Sequence, residues 1–304
     1  MTPGVSRRRF DLVSADGRTH AVVSSHGAAL RAFSVDGEDV IEPSVLSLAD
    51  DRVSGAILVP WPNRVEGARW VLNGREQRLL VTEPEFGHAN HGLVTDVDFS
   101  PAAWGPGSVE LETVLAHPPG YPFQLGVHVE YSVESRGVTV RQTLINHSDQ
   151  RAPAAMGAHP YLRLPESPGT APLLRIDATR SVHLDETYIP RSAFEVEGTR
   201  WDLRQSTSVM QMVPHAAYTN LGLTDGRHIH VLTGGGERTE LWSDPDFGWV
   251  QVYLDPSYLG DHGPRPALAI EPMTAPPNAF GSGVDLRWLD AGESWTASWG
   301  INRS

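Results

Sequence analysis

Val109-Glu110-Leu111-Glu112-Thr113-Val114-Leu115, Val127-His128-Val129-Glu130-Tyr131-Ser132-Val133 and Val138-Thr139-Val140-Arg141-Gln142-Thr143-Leu144 follow one another in the middle of the chain. Val109, Leu111, Thr113 and Leu115 fall on one side of an extended backbone. So do Val127, Val129, Tyr131 and Val133, and then Val138, Val140, Gln142 and Leu144. Alternation with a period of two is the mark of a strand with one buried face. Pro118–Pro119–Gly120 and Ser135–Arg136–Gly137 stand between the runs and supply turn chemistry. The spacing predicts an antiparallel meander over 109–115, 125–133 and 138–144.

The same pattern recurs outward from this centre. Leu30 to Val35 ends at Asp36–Gly37, a hairpin dipeptide. Trp295, Ala297, Trp299 and Ile301 alternate in a last strand near the C-terminus. No sustained amphipathic helix interrupts the strands, which argues against a parallel α/β sheet. No composition break or linker divides the chain, so residues 1–304 read as one all-β domain of two packed antiparallel sheets. Long loops are expected around 43–66, 84–96, 150–172 and 254–267, and loops on a rigid scaffold commonly carry function.

Composition narrows the chemistry. The 304 residues carry a formal net charge of −13, which argues against nucleic acid and against an anionic membrane as partners. No apolar run approaches the roughly 18 residues of a spanning helix. The basic trio Arg7–Arg8–Arg9 is followed by Asp11 and no apolar segment, so no signal peptide is read and the cytoplasm is the expected location. The chain has no cysteine and no lysine. Thiol nucleophiles, thiolate metal sites, Schiff bases and a P-loop are thereby excluded.

Four segments could carry the remaining His, Asp, Glu, Arg, Tyr and Ser chemistry. Pro60–Trp61–Pro62–Asn63–Arg64 brackets a tryptophan with rigid prolines and presents an amide and a guanidinium, groups that suit sugar hydroxyls. His88–Ala89–Asn90–His91–Gly92 offers two imidazoles. His159–Pro160–Tyr161 places a histidine in apolar surroundings. Glu271 closes the run Leu268–Ala269–Ile270, where partial burial would raise its pKa toward that of a general base. Taken singly, each also reads as an ordinary feature: a surface turn, a polar loop histidine, a core histidine, a strand-end carboxylate.

Their joint order resembles the aldose 1-epimerase family. Pro-Trp-Pro-Asn-Arg comes first, then Asn90–His91–Gly92–Leu93, His159–Pro160–Tyr161, and Glu271–Pro272–Met273–Thr274 with Pro277–Asn278–Ala279–Phe280 behind it. The family's spacer between the Asn and His of the second motif is missing here. The resemblance runs from about Gly27 to the last strand. It implies the galactose-mutarotase-like β-supersandwich and interconversion of the α and β anomers of a free aldose. It also implies that His159 is the catalytic acid and Glu271 the base, with Asn63, Arg64, His91 and Gln251 holding the sugar. One departure stands out. The family usually has a substrate-binding Asp ahead of the strand that matches Pro214–His215–Ala216–Ala217–Tyr218, whereas here His215 is nearest and Asp225, in the following turn, is a possible substitute.

Such a reaction needs no cofactor and no metal, only one protonated and one ionised group, for which an imidazolium and a carboxylate held apart by the substrate would serve. Trp61 and Trp249 are candidates for stacking on the ring. The expected partner is a small-molecule sugar, with oligomeric state left open. Three alternatives accompany this reading. A hexose-6-phosphate 1-epimerase of the same fold would need a cluster of arginines. A non-catalytic sugar-binding protein would not need both His159 and Glu271. A metal-dependent β-sandwich enzyme could draw on His228 and His230, though no carboxylate stands at matching spacing.

Overall fold

The computed structural model describes residues 7–44, 53–165 and 171–304, and they are almost entirely strand. The meander is where the alternation puts it: Ser108–Ala116, Gln124–Glu134 and Gly137–Asn146 pair antiparallel in direct succession. Val109, Leu111, Val127, Val129, Tyr131, Val138, Val140 and Leu144 are all buried, and Thr113 is half-buried. The last strand, Ser294–Arg303, pairs next to Gly137–Asn146 with Trp295, Ala297, Trp299 and Ile301 facing inward. These four strands lie within a nine-stranded sheet that runs from Ser100–Gly105 at one edge to Thr207–Ser208 at the other. Asp36 and Gly37, at φ 54 and 84, form the turn between Ala29–Val35 and Glu38–Asp39 in a separate four-stranded sheet. Two successive positive φ values match the twist of a hairpin.

A second large sheet carries the site. In it Pro190–Glu195, Ala178–Leu184, His215–Leu221, Trp249–Gly260, Gly263–Met273, Gly157–Ala158 and Ile57–Leu58 are hydrogen-bonded in that order, and Tyr161–Arg163 also pairs with Gly263–Met273. Val250, Val252, Leu268 and Ile270 join Val127, Val140 and Trp299 in one continuous core between the two sheets. Gln142, fully buried in the meander, crosses that core and donates to the Gly157 carbonyl (3.3 Å).

The loop expected around 254–267 is instead a long hairpin, because Trp249–Gly260 and Gly263–Met273 stay paired almost to the turn. Pro256, Pro264 and Pro266 lie within this hairpin without breaking it. The register shift between Asp255 and Tyr258 accommodates the first. The other two sit where, among the described residues, Gly263–Met273 has a neighbour on one side only, so a missing N–H removes no ladder bond on the open side. The other expected loops hold short strands, including Arg64–Val65 paired with Ala89–Asn90. Positions 45–52 and 166–170 of those loops lie outside the described residues.

Candidate active site

Strand register alone brings much of the site together. His215 lies opposite Tyr253, Gln251 opposite Glu271, and Tyr161 opposite Ala269, which itself faces Tyr253. Residues two apart on a strand share a face and direct cross-strand neighbours sit about 5 Å apart. His215, Gln251, Tyr253, Glu271 and Tyr161 therefore occupy one face of the second sheet, the face turned away from the core residues Val250, Val252 and Ile270. His159 precedes Tyr161 by two positions. Its N–H donates to the Ala56 carbonyl (3.1 Å) and its carbonyl accepts from Gly55 N–H (2.8 Å), which fixes the backbone on both sides.

Loops close the opposite wall. Asn63 (φ 57) and His91 (φ 61) both take left-handed backbone and are tied to each other: His91 N–H donates to the Asn63 carbonyl (3.0 Å), and Asn63 N–H donates to His91 Nδ1 (3.3 Å). Gly92 follows at φ 78, where a Cβ would stand 2.2 Å from the Val59 carbonyl oxygen, so only glycine fits. Asn63 Oδ1 accepts from Arg64 N–H (2.9 Å), and its Nδ2 points to Gln251 Oε1 (3.5 Å). Arg64 Nε and Nη2 each donate to Glu83 at 2.7 Å, and its guanidinium lies 4.8 Å from the Tyr188 ring centre.

The resulting cavity, about 250 Å³, is lined by Asn63, Arg64, His91, His159, His215 and Glu271, together with Tyr161, Tyr188 and Tyr253. At its floor His159 Nε2 is 3.3 Å from Glu271 Oε1. Both residues are buried, and His159 Nδ1 and Glu271 Oε2 have no protein partner among the described residues. The His159 ring stacks on Tyr161 (4.9 Å) and meets His91 edge-on (5.1 Å).

Burial sets the charges. It pushes Glu271 up to about 8, against the opposing pull of Arg64, and holds His159 down to about 4. At neutral pH both shifts favour the uncharged partners, a carboxylic acid and a neutral imidazole, whereas the sequence reading expects a carboxylate and an imidazolium held apart by the substrate. The cause is desolvation, which disfavours both charged forms. Burial and the nearby His159, Arg64 and His215 keep His91 well below its ordinary pKa. His215 is held down to about 3 by burial and by Arg64.

Candidate ligand atoms of His91, His159 and Glu271 all lie within 4.8 Å of one another, a spacing that could surround a cation. The hydrogen bonding of His91 opposes that use. Its Nδ1 accepts from Asn63 N–H, so the neutral ring carries its proton on Nε2. A ligating imidazole ordinarily donates its second N–H to a carboxylate or carbonyl. His91 is built to donate from Nε2 into the cavity. His88 faces elsewhere, with Nδ1 accepting from Gly67 N–H (3.1 Å). His230 is buried with both ring nitrogens unpartnered among the described residues, and His228 is bonded to the Gly222 carbonyl.

Three expectations change. Asp225 is not brought to the cavity; it sits on an exposed turn beyond Leu221, at the opposite end of the His215–Leu221 strand from His215. Trp61 is buried against Phe280, and Trp249 donates from Nε1 to Asp285 (2.7 Å), so neither faces the cavity. Three tyrosines provide the aromatic surface instead. Of these, Tyr253 was legible, since period two places it on the face of Gln251. Tyr188, in a turn at φ 64, and Glu83, which clamps Arg64, carried no signal in the sequence.

Comparison with known proteins agrees with this architecture. The sequence profile of the aldose 1-epimerase family matches residues 11–302. The chain belongs to the aldose 1-epimerase family. It is 30% identical over 284 residues to the uncharacterized protein YihR of Escherichia coli K12, covering 92% of this chain and 88% of that one. The fold is shared with the GalM/aldose epimerase homologue of C. elegans (TM-score 0.86, 17% identity, 98% of this chain and 99% of that one). It is also shared with galactose 1-epimerase from Lactobacillus acidophilus NCFM (TM-score 0.75, 18% identity, 96% and 92%). In this aldose 1-epimerase family member no helix among the described residues is long and apolar enough to cross a membrane.

Proposed function

We propose that this family member interconverts the α and β anomers of a free aldose, with His159 and Glu271 moving the protons. The observation that carries the reading is the buried His159–Glu271 pair, 3.3 Å apart at the floor of a cavity lined by hydrogen-bonding side chains. Ring opening takes the proton of the anomeric hydroxyl onto Glu271, while His159 gives a proton to the ring oxygen and the C1–O5 bond breaks. The pair ends as carboxylic acid and neutral imidazole, the partition that burial favours. Rotation about C1–C2 turns the other face of the aldehyde toward the C5 hydroxyl. Closure returns one proton to His159 and delivers the other from Glu271 to O1. The charged pair thus faces the closed ring and the neutral pair the open chain. Arg64 favours the ionised form of Glu271 in the first state.

Asn63, Arg64, His91, His215 and Gln251 are the residues proposed to hold or position the sugar. His91 gives Nε2–H to a sugar oxygen, and Tyr161, Tyr188 and Tyr253 offer ring faces and hydroxyls. A 6-phosphate is poorly served, because Arg64 is the one cationic side chain among the described residues lining the cavity and Glu83 already takes its Nε and Nη2. Polarimetry of freshly dissolved α-anomers of several aldoses tests the reading. The expected result is an approach to equilibrium faster than the spontaneous rate for at least one of them. A protein that binds these sugars but leaves the rate unchanged for all is a binding module.

A further inference from the structure

Tyr188 enters the cavity from a turn, not from a strand face. Its backbone is left-handed (φ 64), a conformation that a bulky side chain adopts only where its surroundings impose it. The ring stacks on His215 (4.4 Å), and the Arg64 guanidinium lies 4.8 Å from its centre. The position of this one turn therefore shapes the cavity wall beside both residues.

A carboxylate builds the turn. Asp185 Oδ1 accepts from Thr187 N–H (2.9 Å), Thr187 Oγ1 (2.8 Å) and Ile189 N–H (3.0 Å). Asp185 N–H donates to the Ile189 carbonyl and Tyr188 N–H to the Asp185 carbonyl, both at 3.0 Å. These bonds fix the shape of the turn but not its distance from Arg64, which comes from a remote part of the chain. Arg191 supplies that link. Its Nε donates to Asp185 Oδ2 (2.8 Å), while Nη2 and Nη1 donate to Glu66 Oε1 (2.7 Å) and Oε2 (3.3 Å). Glu66 is in turn fastened to the Arg64 segment. Its N–H donates to Asn278 Oδ1 (3.0 Å), and Asn278 N–H donates to the Arg64 carbonyl (2.6 Å). A planar fork shared between two carboxylates fixes geometry as well as charge.

We infer that Arg191 is a positioning residue: it staples the turn that carries Tyr188 to the segment that carries Arg64, and so sets the wall against which the sugar is held. This rests on reading the cavity as the aldose site. Arg191 is 51% exposed and does not line the cavity, so its removal leaves the His159–Glu271 pair in place and acts on binding.

Calorimetry and polarimetry on Arg191→Met, Arg191→Lys, Tyr188→Ala and the double variant Arg191→Met with Tyr188→Ala test the role. Arg191→Met should weaken aldose affinity about fivefold, the upper range for an exposed ion pair, with kcat within about twofold of wild type. Arg191→Lys keeps the charge without the fork and should recover part of the loss. Once Tyr188→Ala has removed the ring, Arg191→Met should change affinity by less than about twofold, because its effect passes through Tyr188. Hydrogen exchange reads the staple without any sugar: the Thr187 and Ile189 amides should exchange faster in Arg191→Met, while the meander exchanges as in wild type. Arg191→Lys gives the same comparisons with smaller changes if Arg191→Met does not fold. The inference is overturned if exchange in the turn does not move, if kcat falls as far as affinity, or if the loss of affinity persists undiminished without the Tyr188 ring. Faster exchange in the turn with no aldose bound or turned over would keep the staple and remove the reading of the cavity; mutarotation with unmoved exchange would do the reverse.

Discussion

Replacing Glu83 with glutamine should show that Arg64, in the cavity wall, is held in place by charge. The Arg64 and Glu83 side chains are 10% and 20% exposed, and two 2.7 Å hydrogen bonds join them. Removing one partner from a fully buried pair costs about 3–5 kcal/mol. Glutamine keeps one acceptor and water reaches part of this pair, which brings the expected loss to about 2 kcal/mol. An electrostatic effect should accompany it. With Glu83 neutral, the Arg64 charge acts uncompensated on Glu271 and lowers its pKa, so the alkaline limb of kcat/KM should move to lower pH. Urea unfolding of wild type, Glu83→Gln, Arg64→Met and the double variant gives the coupling energy, and polarimetry across pH gives the limb. A coupling below about 0.5 kcal/mol, the size of an exposed ion pair, together with an unmoved limb would refute the reasoning.

Three further outcomes are expected. The wild-type kcat/KM should form a bell, because activity needs one proton on the His159–Glu271 pair: it falls toward acid near pH 4 as the pair gains a second proton, and toward base near pH 8 as it loses the first. A profile that keeps rising above pH 9 would remove the pair from catalysis. Glu271→Gln should gain stability over wild type as pH rises from 4.5 to 8, because in that window the unfolded carboxylate ionises while the folded one, with its pKa raised from 4.5 to about 8, stays protonated. Parallel melting curves for the two proteins across that range would show that Glu271 is not held neutral. His215→Asp should change the ranking of sugars in a substrate panel, since it puts a carboxylate where burial holds a neutral imidazole; an unchanged ranking would take His215 out of specificity.

How far the sequence led depends on the kind of contact. The meander was legible because Val109 to Leu144 alternate strictly between Pro/Gly turns, and period two has one structural solution there. His159 and Glu271 were legible through their motifs, and their approach follows from a register that pairs Gln251 with Glu271 and Tyr161 with Ala269. The hairpin at 254–267 was not, since its prolines are tolerated only at an unpaired strand edge or a register shift, and nothing in sequence tells where those fall. Glu83 and Tyr188 were invisible because each meets Arg64 through a loop conformation without periodicity. The charge state of the pair was also hidden. It depends on burial, and sequence showed only that His159 and Glu271 stand among apolar neighbours.

One measurement bears most directly on the acid–base pair: mutarotation rates of Glu271→Gln, His159→Asn and the double variant, with sugar affinity measured on the same preparations. Each single substitution should lower kcat by on the order of 10²-fold or more with little change in affinity, and the double variant should be scarcely slower than either. Mutarotation that survives both substitutions nearly intact, in protein that still binds sugar, would contradict the assignment of proton transfer to His159 and Glu271.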